Sequence, residues 1–462
     1  MKKILSFALA AALLLGGLPT QSFAAGFTDI EGHWAEESIN RAVEKGLFSG
    51  VSDTEFQPDG TMTRAMFVTV MAKYSGYTPS KYKTDKFKDV PSDAWYAPAV
   101  AWAVQNGIVS GTSDNTFSPN APVSRQQAAV ILVAYSNAAG VILPRTRPCT
   151  GFSDNAQCAD YALDAVYTLY RAGLVDGLPG GSFGANHGMT RAQCAVILCG
   201  YLDICARSCT DAEKISMVNH RGYSYTAPEN TLPAYQVSAQ KGYTYVEADI
   251  RFSADGEPVL LHDATINRTS NVEEVTGSDE AVYLSGCTLA QLQTYDFGSW
   301  KAERYAGTKI PTFRDFIALC AQNGLHPYIE LKQQMTQQQV GKLVDIVKEY
   351  DMYGNVTWIS FYSENLAKLR SVCPTAELML LAATVDTDSI QAAKNLKNGK
   401  NSVLLSVRYN KLTAAQRAAC LRAGLDFGVW TVDSKADAIR QTNTSAMFLT
   451  TDSVTWDTLY SG

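Results

Sequence analysis

Between Met217 and Asp263 the sequence reads MVNHRGYSYTAPENTLPAYQVSAQKGYTYVEADIRFSADGEPVLLHD, with ionisable residues set at the ends or on one face of short apolar runs. His220 and Arg221 close the first run; Glu247 and Asp249 alternate with Val246, Ala248 and Ile250; His262 and Asp263 follow Val259, Leu260 and Leu261. In an extended strand, side chains two apart share a face, so Glu247 and Asp249 point together. Two adjacent carboxylates repel unless a cation lies between them, and hard divalent ions such as Ca²⁺ or Mg²⁺ prefer oxygen ligands. A third carboxylate, Glu330 in HPYIELK, sits in another apolar run with Lys332 two residues on.

Taken in order, HRG, PENT, E-A-D, HD and IELK resemble the glycerophosphodiester phosphodiesterase family over residues 214–462. That resemblance implies a TIM barrel, (β/α)8, with one divalent cation, Ca²⁺ or Mg²⁺, on Glu247, Asp249 and Glu330. It further implies His220 and His262 as an acid/base pair, and Arg221 as a contact to the substrate phosphate. Phosphodiesters repel nucleophiles by their own charge, so a catalyst needs cations; the metal and Arg221 supply them, and Lys332 is the further candidate. Two histidines with pKa near neutrality can take one proton and give another. His220 is assigned as base and His262 as acid, with the two roles exchangeable. The expected reaction hydrolyses glycerophosphodiesters such as glycerophosphocholine or glycerophosphoethanolamine to sn-glycerol 3-phosphate and an alcohol.

Two other readings compete. A metal-independent phosphodiesterase like phosphatidylinositol-specific phospholipase C shares the paired histidines, and the intact acidic triad speaks against it. A non-catalytic, S-layer-associated wall-binding protein would tolerate loss of a triad member or a histidine, and none is lost.

The elements that must position these groups are visible as eight strand-like runs: MVNH, YVEADI, PYIEL, TWISFY, ELMLLA, VLLSV, FGVWTV and MFLTTD. Helical segments intervene at 230–241, 312–323, 336–350, 363–372, 413–424 and 434–441. Eight strands with helices between them is the count of a TIM barrel, whose chemistry sits at the C-terminal strand ends. His326, Trp430, Asp433 and Asp452 are further candidates for substrate contact at strand ends. The span 252–311 is too long for an ordinary loop and resembles the insertion that caps the site in the family; Trp300 within it is a candidate lining residue.

With 462 residues the chain exceeds one ordinary domain, and 46% hydrophobic and 18% charged residues are the proportions of a soluble globular protein. Lys2 and Lys3, an apolar run from Ile4 to Leu18, and Ser22-Phe23-Ala24 read as a secretory signal peptide over 1–24. Its removal takes the formal charge from −6 to −8, an acidic balance that argues against nucleic acid as partner. No later run approaches membrane-spanning length. Of ten cysteines, Cys149 and Cys158 are the best candidate disulfide pair, whereas Cys194, Cys199, Cys205 and Cys209 match no common zinc spacing. Cys287, Cys320, Cys373 and Cys420 read as buried apolar residues.

The first half repeats three times. FTDIEGHW, FKDVPSDAW and FSDNAQCADY each open a unit that runs on to TRAM, SRQQ or TRAQ. From opening Phe to Arg the spacing is 37, 38 and 39 residues. Thr63, Ser124 and Thr190 can cap the helix that follows. Arg64, Arg125 and Arg191 then fall in its first turn, the wrong end for a cation in the helix dipole. Either an ion pair to the FxD aspartates (Asp29, Asp89, Asp154) or ligand binding would account for them. These units resemble S-layer homology (SLH) domains, at 27–77, 87–140 and 152–205. The resemblance implies a pseudo-threefold helical bundle that docks on the secondary polysaccharide of a Gram-positive cell wall through the three arginines. Met66, Gln127 and Gln193 stand where that family usually has Glu, the third unit has Tyr161 near the position of Trp34 and Trp95, and Ala185 replaces the Pro119 of the second.

Overall fold

The computed structural model describes residues 26–148, 151–397 and 403–460, in two compact units that divide between Lys214 and Ile215. The expected signal peptide and Cys149 lie outside the described residues. No helix among the described residues is long and apolar enough to cross a membrane.

The first unit carries two helices per repeat: α1 (Glu36–Glu44), α2 (Arg64–Tyr74), α3 (Ala97–Gln105), α4 (Arg125–Ala139), α5 (Asp160–Arg171) and α6 (Arg191–Cys205). The hydroxyls of Thr63, Ser124 and Thr190 cap α2, α4 and α6, accepting the N–H of Met66, Gln127 and Gln193 at 3.2, 3.4 and 3.2 Å. Gln127 and Gln193 return the bond, accepting the N–H of Ser124 and Thr190 at 3.2 and 3.1 Å. Glutamine thus completes the capping box that glutamate would complete, and Met66 leaves the first one half made. Packing passes from repeat to repeat: α2 lies on α3, α4 on α5, and α6 returns to α1.

The ion-pair reading of the first-turn arginines is overturned. The FxD carboxylates accept backbone N–H groups instead: Asp29 from Gln57 at 2.6 Å, Asp89 from Phe117 at 2.8 Å and Asp154 from Phe183 at 2.6 Å. Each arginine donates Nε to the carbonyl of that same turn in the next repeat, Arg64 to Phe117 at 2.9 Å, Arg125 to Phe183 at 2.8 Å and Arg191 to Phe56 at 2.8 Å. The guanidiniums also lie 4.8, 4.6 and 4.4 Å from the centroids of those phenylalanine rings. Aspartate and arginine therefore grip opposite sides of one peptide, and the carbonyls and ring offset the unfavourable dipole. Burial lowers the pKa of all three arginines. Arg191→Met strips donors from Phe56 O and Ser49 O and is expected to cost about 2 kcal/mol. Calorimetric unfolding of the full chain checks this, and an unchanged profile would refute the latch.

Among the described residues of the second unit nine strands form: β1 (Ser216–Asn219), β2 (Tyr245–Phe252), β3 (Pro258–Leu260), β4 (His326–Leu331), β5 (Thr357–Ser360), β6 (Glu377–Ala382), β7 (Val403–Arg408), β8 (Phe427–Trp430) and β9 (Phe448–Thr451). Eight are parallel and close on themselves, because β1 pairs with both β2 and β9; the short β3 hangs antiparallel on the end of β2. This is the TIM barrel that the alternation of runs predicts. Helices follow as α7 (Leu232–Gln240), α8 (Val272–Thr276), α9 (Leu289–Leu292), α10 (Phe313–Asn323), α11 (Gln337–Glu349), α12 (Ser363–Val372), α13 (Thr387–Leu396), α14 (Ala414–Arg422), α15 (Lys435–Thr442) and α16 (Trp456–Tyr460). Neither α13 nor α16 is among the helices read from the sequence. TWISFY and FGVWTV also stop early as strands, at Ser360 and Trp430, leaving Phe361, Tyr362 and Thr431 on the C-terminal rim.

The long span after β2 is no open loop. Val259, Ile266, Val272, Leu284, Leu292 and Phe297 bury one another in a core of its own. Cys320, Cys373 and Cys420 are buried thiols as expected, and Cys287 is only half-buried. Among the described residues, no cysteine joins a metal-type cluster.

Candidate active site

Strand β1 ends at Asn219, and the chain then turns through Arg221 and Gly222 at φ 57° and 77°. A Cβ on Gly222 would stand 2.7 Å from the Cβ of Ala234, so this turn admits only glycine. Turning there lets the Arg221 N–H donate to Glu247 Oε2 at 3.0 Å. Asn230, also left-handed at φ 55°, gives Nδ2 to Asp249 Oδ2 at 2.7 Å and takes the Asp249 N–H on Oδ1 at 3.1 Å. Two strained residues after β1 thus fix two carboxylates on β2, as expected where function over-determines the backbone.

Parallel register sets Asp249 beside Glu330 on β4. The carboxylate oxygens of Glu247, Asp249 and Glu330 come within 4.8 Å of one another, and all three residues are buried. Lys332 Nζ lies 2.9 Å from Glu330 and 3.4 Å from Asp249; Arg221 reaches Glu229 at 2.8 Å and Asp249 at 3.2 Å. Even so, Glu247 Oε1 and Asp249 Oδ1 are buried without a hydrogen bond from any of the described residues. Unbonded buried oxygens in an all-carboxylate set are what a hard divalent cation would take up, so the donor set fits one. Burial, then the charges of Asp249 and Glu330, push Glu247 well up; burial and Asp249 push Glu330 to about 7. Against its burial, Arg221 and Lys332 hold Asp249 low.

Both histidines are held at Nδ1 by a carboxylate, His220 by Asp452 at 2.7 Å and His262 by Asp263 at 2.6 Å. That leaves Nε2 of each to exchange protons. Arg268 clamps the second arrangement, donating Nε to Asp263 at 2.6 Å and both Nη groups to Glu229 at 2.8 and 2.9 Å. Burial lowers the His262 pKa. Both histidines, Arg221, Glu247, Glu330 and Lys332 line one cavity of about 390 Å³, with Trp430 among its walls.

Other candidates fall elsewhere. His326 begins β4, at the N-terminal end of the barrel, where it pairs with Asn355 and Thr357 at 3.0 and 2.9 Å; a strand-like run does not reveal which of its ends a residue occupies. Asp433 receives the Asp452 N–H at 2.7 Å and so supports the residue behind His220. Trp300 donates to Phe297 O at 3.0 Å and does not line the cavity. Sequence reasoning gave no role to Glu229, Asn230 or Arg268, although PENT and NRTSN contain them.

Residues 220–455, just over half of the chain, match the glycerophosphoryl diester phosphodiesterase family. The chain belongs to that family. Three further stretches, 26–66, 86–129 and 151–195, match the S-layer homology domain. Among relatives, the glycerophosphodiester phosphodiesterase of Caldanaerobacter subterraneus subsp. tengcongensis is 26% identical over 241 residues, 52% of this chain and 94% of that protein. An amylopullulanase of Thermoanaerobacterium thermosulfurigenes is 29% identical over 177 residues, 38% of this chain but only 9% of that protein's length. A phosphodiesterase of Oleispira antarctica, solved in complex with the product sn-glycerol-3-phosphate, is 24% identical with a TM-score of 0.47, covering 52% of this chain and 93% of that one. In this member of the diesterase family, four of the five sequence motifs line a single cavity, and the fifth, PENT, holds Arg221 through Glu229 and Asp249 through Asn230.

Proposed function

We propose that the protein is an exported, metal-dependent glycerophosphodiester phosphodiesterase held at the cell wall by its S-layer homology repeats. The observation that carries this reading is a buried carboxylate triad with two unbonded oxygens, sharing one cavity with two carboxylate-held histidines. Glu247, Asp249 and Glu330 would hold the cation, Ca²⁺ or Mg²⁺, which when bound neutralises charge on the phosphoryl oxygens.

His262, whose pKa burial lowers, accepts a proton at Nε2 from the oxygen of the attacking water. As that oxygen bonds to phosphorus and the bond to the alcohol breaks, His220 returns a proton from Nε2 to the leaving alkoxide. This order exchanges the roles first assigned from sequence, and the low His262 pKa is the reason. Asp263 and Asp452 hold the rings, while Arg221 and Lys332 contact the substrate phosphate. The products are sn-glycerol 3-phosphate and an alcohol.

For the wall-binding half, repeats 27–77, 87–140 and 152–205 close as a pseudo-threefold bundle, and the catalytic domain spans 214–462 with 252–311 as its cap. Arg64 lines a cavity of about 370 Å³ with Ser110, Gly111, Thr112, Gln127 and Tyr161. Arg125 and Arg191 occupy equivalent positions, which supports a secondary cell-wall polysaccharide as the partner.

Release of sn-glycerol 3-phosphate from glycerophosphoglycerol and glycerophosphocholine tests the catalytic half. Loss of activity with EDTA, recovery with Ca²⁺ or Mg²⁺ and absence in His220→Ala are expected. Activity indifferent to EDTA would favour the metal-independent phospholipase-like reading.

Protons compete for the same oxygens. With Glu247 well up and Glu330 at about 7, the cation-free triad carries protons that an incoming ion must displace. Cation affinity therefore falls as pH drops below about 7. Because these pKa values are raised, the cation-free fold loses stability as pH climbs through that range, and the cation restores it. Calorimetric titrations in buffers of differing ionisation heat read the released protons; none released at pH 6 would refute the coupling.

A further inference from the structure

Among the described residues, three arginine and lysine side chains line the catalytic cavity, and two of them already face carboxylates. Arg221 is paired with Glu229 and Asp249, and Lys332 with Glu330 and Asp249. The third, Arg408, ends β7 with its side chain exposed and has no carboxylate partner among the described residues. Its guanidinium lies 5.1 Å from the centroid of the Trp430 ring. Trp430 is itself fixed, donating Nε1 to Ser406 O at 3.1 Å and meeting Phe361 edge-on at 5.9 Å. Around the closed barrel β7 is four strands from β2 in either direction, so Arg408 faces Glu247 and Asp249 across the mouth.

We propose that Arg408 is a specificity residue that selects glycerophosphodiesters carrying a second anionic group, such as another phosphate, beyond the scissile one. This deepens the diesterase reading and rests on it. With the scissile phosphate at the triad, the rest of the substrate crosses an apolar floor of Ile359, Met379 and Leu381 towards β7. There the guanidinium offers a planar fork of donors suited to phosphate or carboxylate. Aromatic faces bind quaternary ammonium groups when nothing cationic competes for them. Here Arg408 already occupies the Trp430 face, so a choline group meets like charge where an anion meets a partner.

The test compares bis(glycerophospho)glycerol with glycerophosphoglycerol, which differ by one glycerophosphate, on the full chain supplied with Mg²⁺ or Ca²⁺. Wild type is expected to favour the doubly charged diester by about tenfold in kcat/KM, the size of one charge-assisted hydrogen bond. R408Q is expected to erase that ratio and R408K to keep part of it. Glycerophosphocholine is expected to be the poorest wild-type substrate, with the gap to glycerophosphoglycerol narrowing in R408Q. Equal rates in wild type, or a ratio unchanged in R408Q, would overturn the assignment. Should wild type cleave neither diester, the diesterase reading fails and calorimetric binding decides for Arg408. About tenfold tighter binding of the doubly charged diester, lost in R408Q, sustains the proposal; equal binding overturns it.

Discussion

Asp249→Asn is expected to remove divalent-cation binding and lower kcat/KM for glycerophosphoglycerol by about a thousandfold. Asp249 is fully buried, and its two oxygens have different duties: Oδ2 is taken by Asn230 and Oδ1 accepts no hydrogen bond. Asparagine is close in shape, so the turn around Asn230 is retained, but the charge that faces Arg221 and Lys332 is lost. Those two cations then repel an incoming metal ion, and affinity is expected to fall by more than about a hundredfold. Leaving them under-neutralised also costs about 3 kcal/mol of stability. Calorimetric titration with Ca²⁺ and Mg²⁺, the melting curve and initial rates measured together separate these effects. A folded variant that binds metal with unchanged affinity would sink the assignment of Asp249 as a ligand.

The histidine replacements carry the second large effect. His262→Ala and His220→Ala are each expected to lower kcat/KM on glycerophosphoglycerol by about 10³-fold, within the usual range for a positioned acid or base. A nitrophenyl ester of glycerol phosphate tells them apart, since nitrophenolate leaves without a proton. On that substrate the His220→Ala loss is expected to shrink to about tenfold while the His262→Ala loss stays near 10³. The opposite pattern would restore His262 as the acid. Burial lowers the His262 pKa, so the acidic limb of kcat/KM is expected below the ordinary imidazole range of about 6.5. With the cation held saturating across the pH range, an acidic limb at or above that value would argue against His262 as the base.

Much of this protein is legible in the chain itself. The alternation that puts Glu247 and Asp249 on one face of β2 is a property of any strand, and the hydroxyls of Thr63, Ser124 and Thr190 cap helices because capping needs only neighbouring residues. Strand count and the order of five motifs likewise fix the barrel and the family, because each is local or sequential. Partners distant in sequence are another matter. Asp452 meets His220 across 232 residues only because β1 and β9 lie side by side in the closed barrel. Arg191 reaches Phe56 across 135 residues because α6 packs back on α1, giving a hold on backbone and ring in place of the ion pair that is one of its two readings from sequence. His326 shares a strand with Glu330 yet serves the opposite end, since a strand's direction in the barrel decides which residues reach the rim. The sequence determined which groups can do chemistry; closure of the barrel and of the helix pairs decided which of them share a cavity, because contact between distant residues is set by packing and not by spacing.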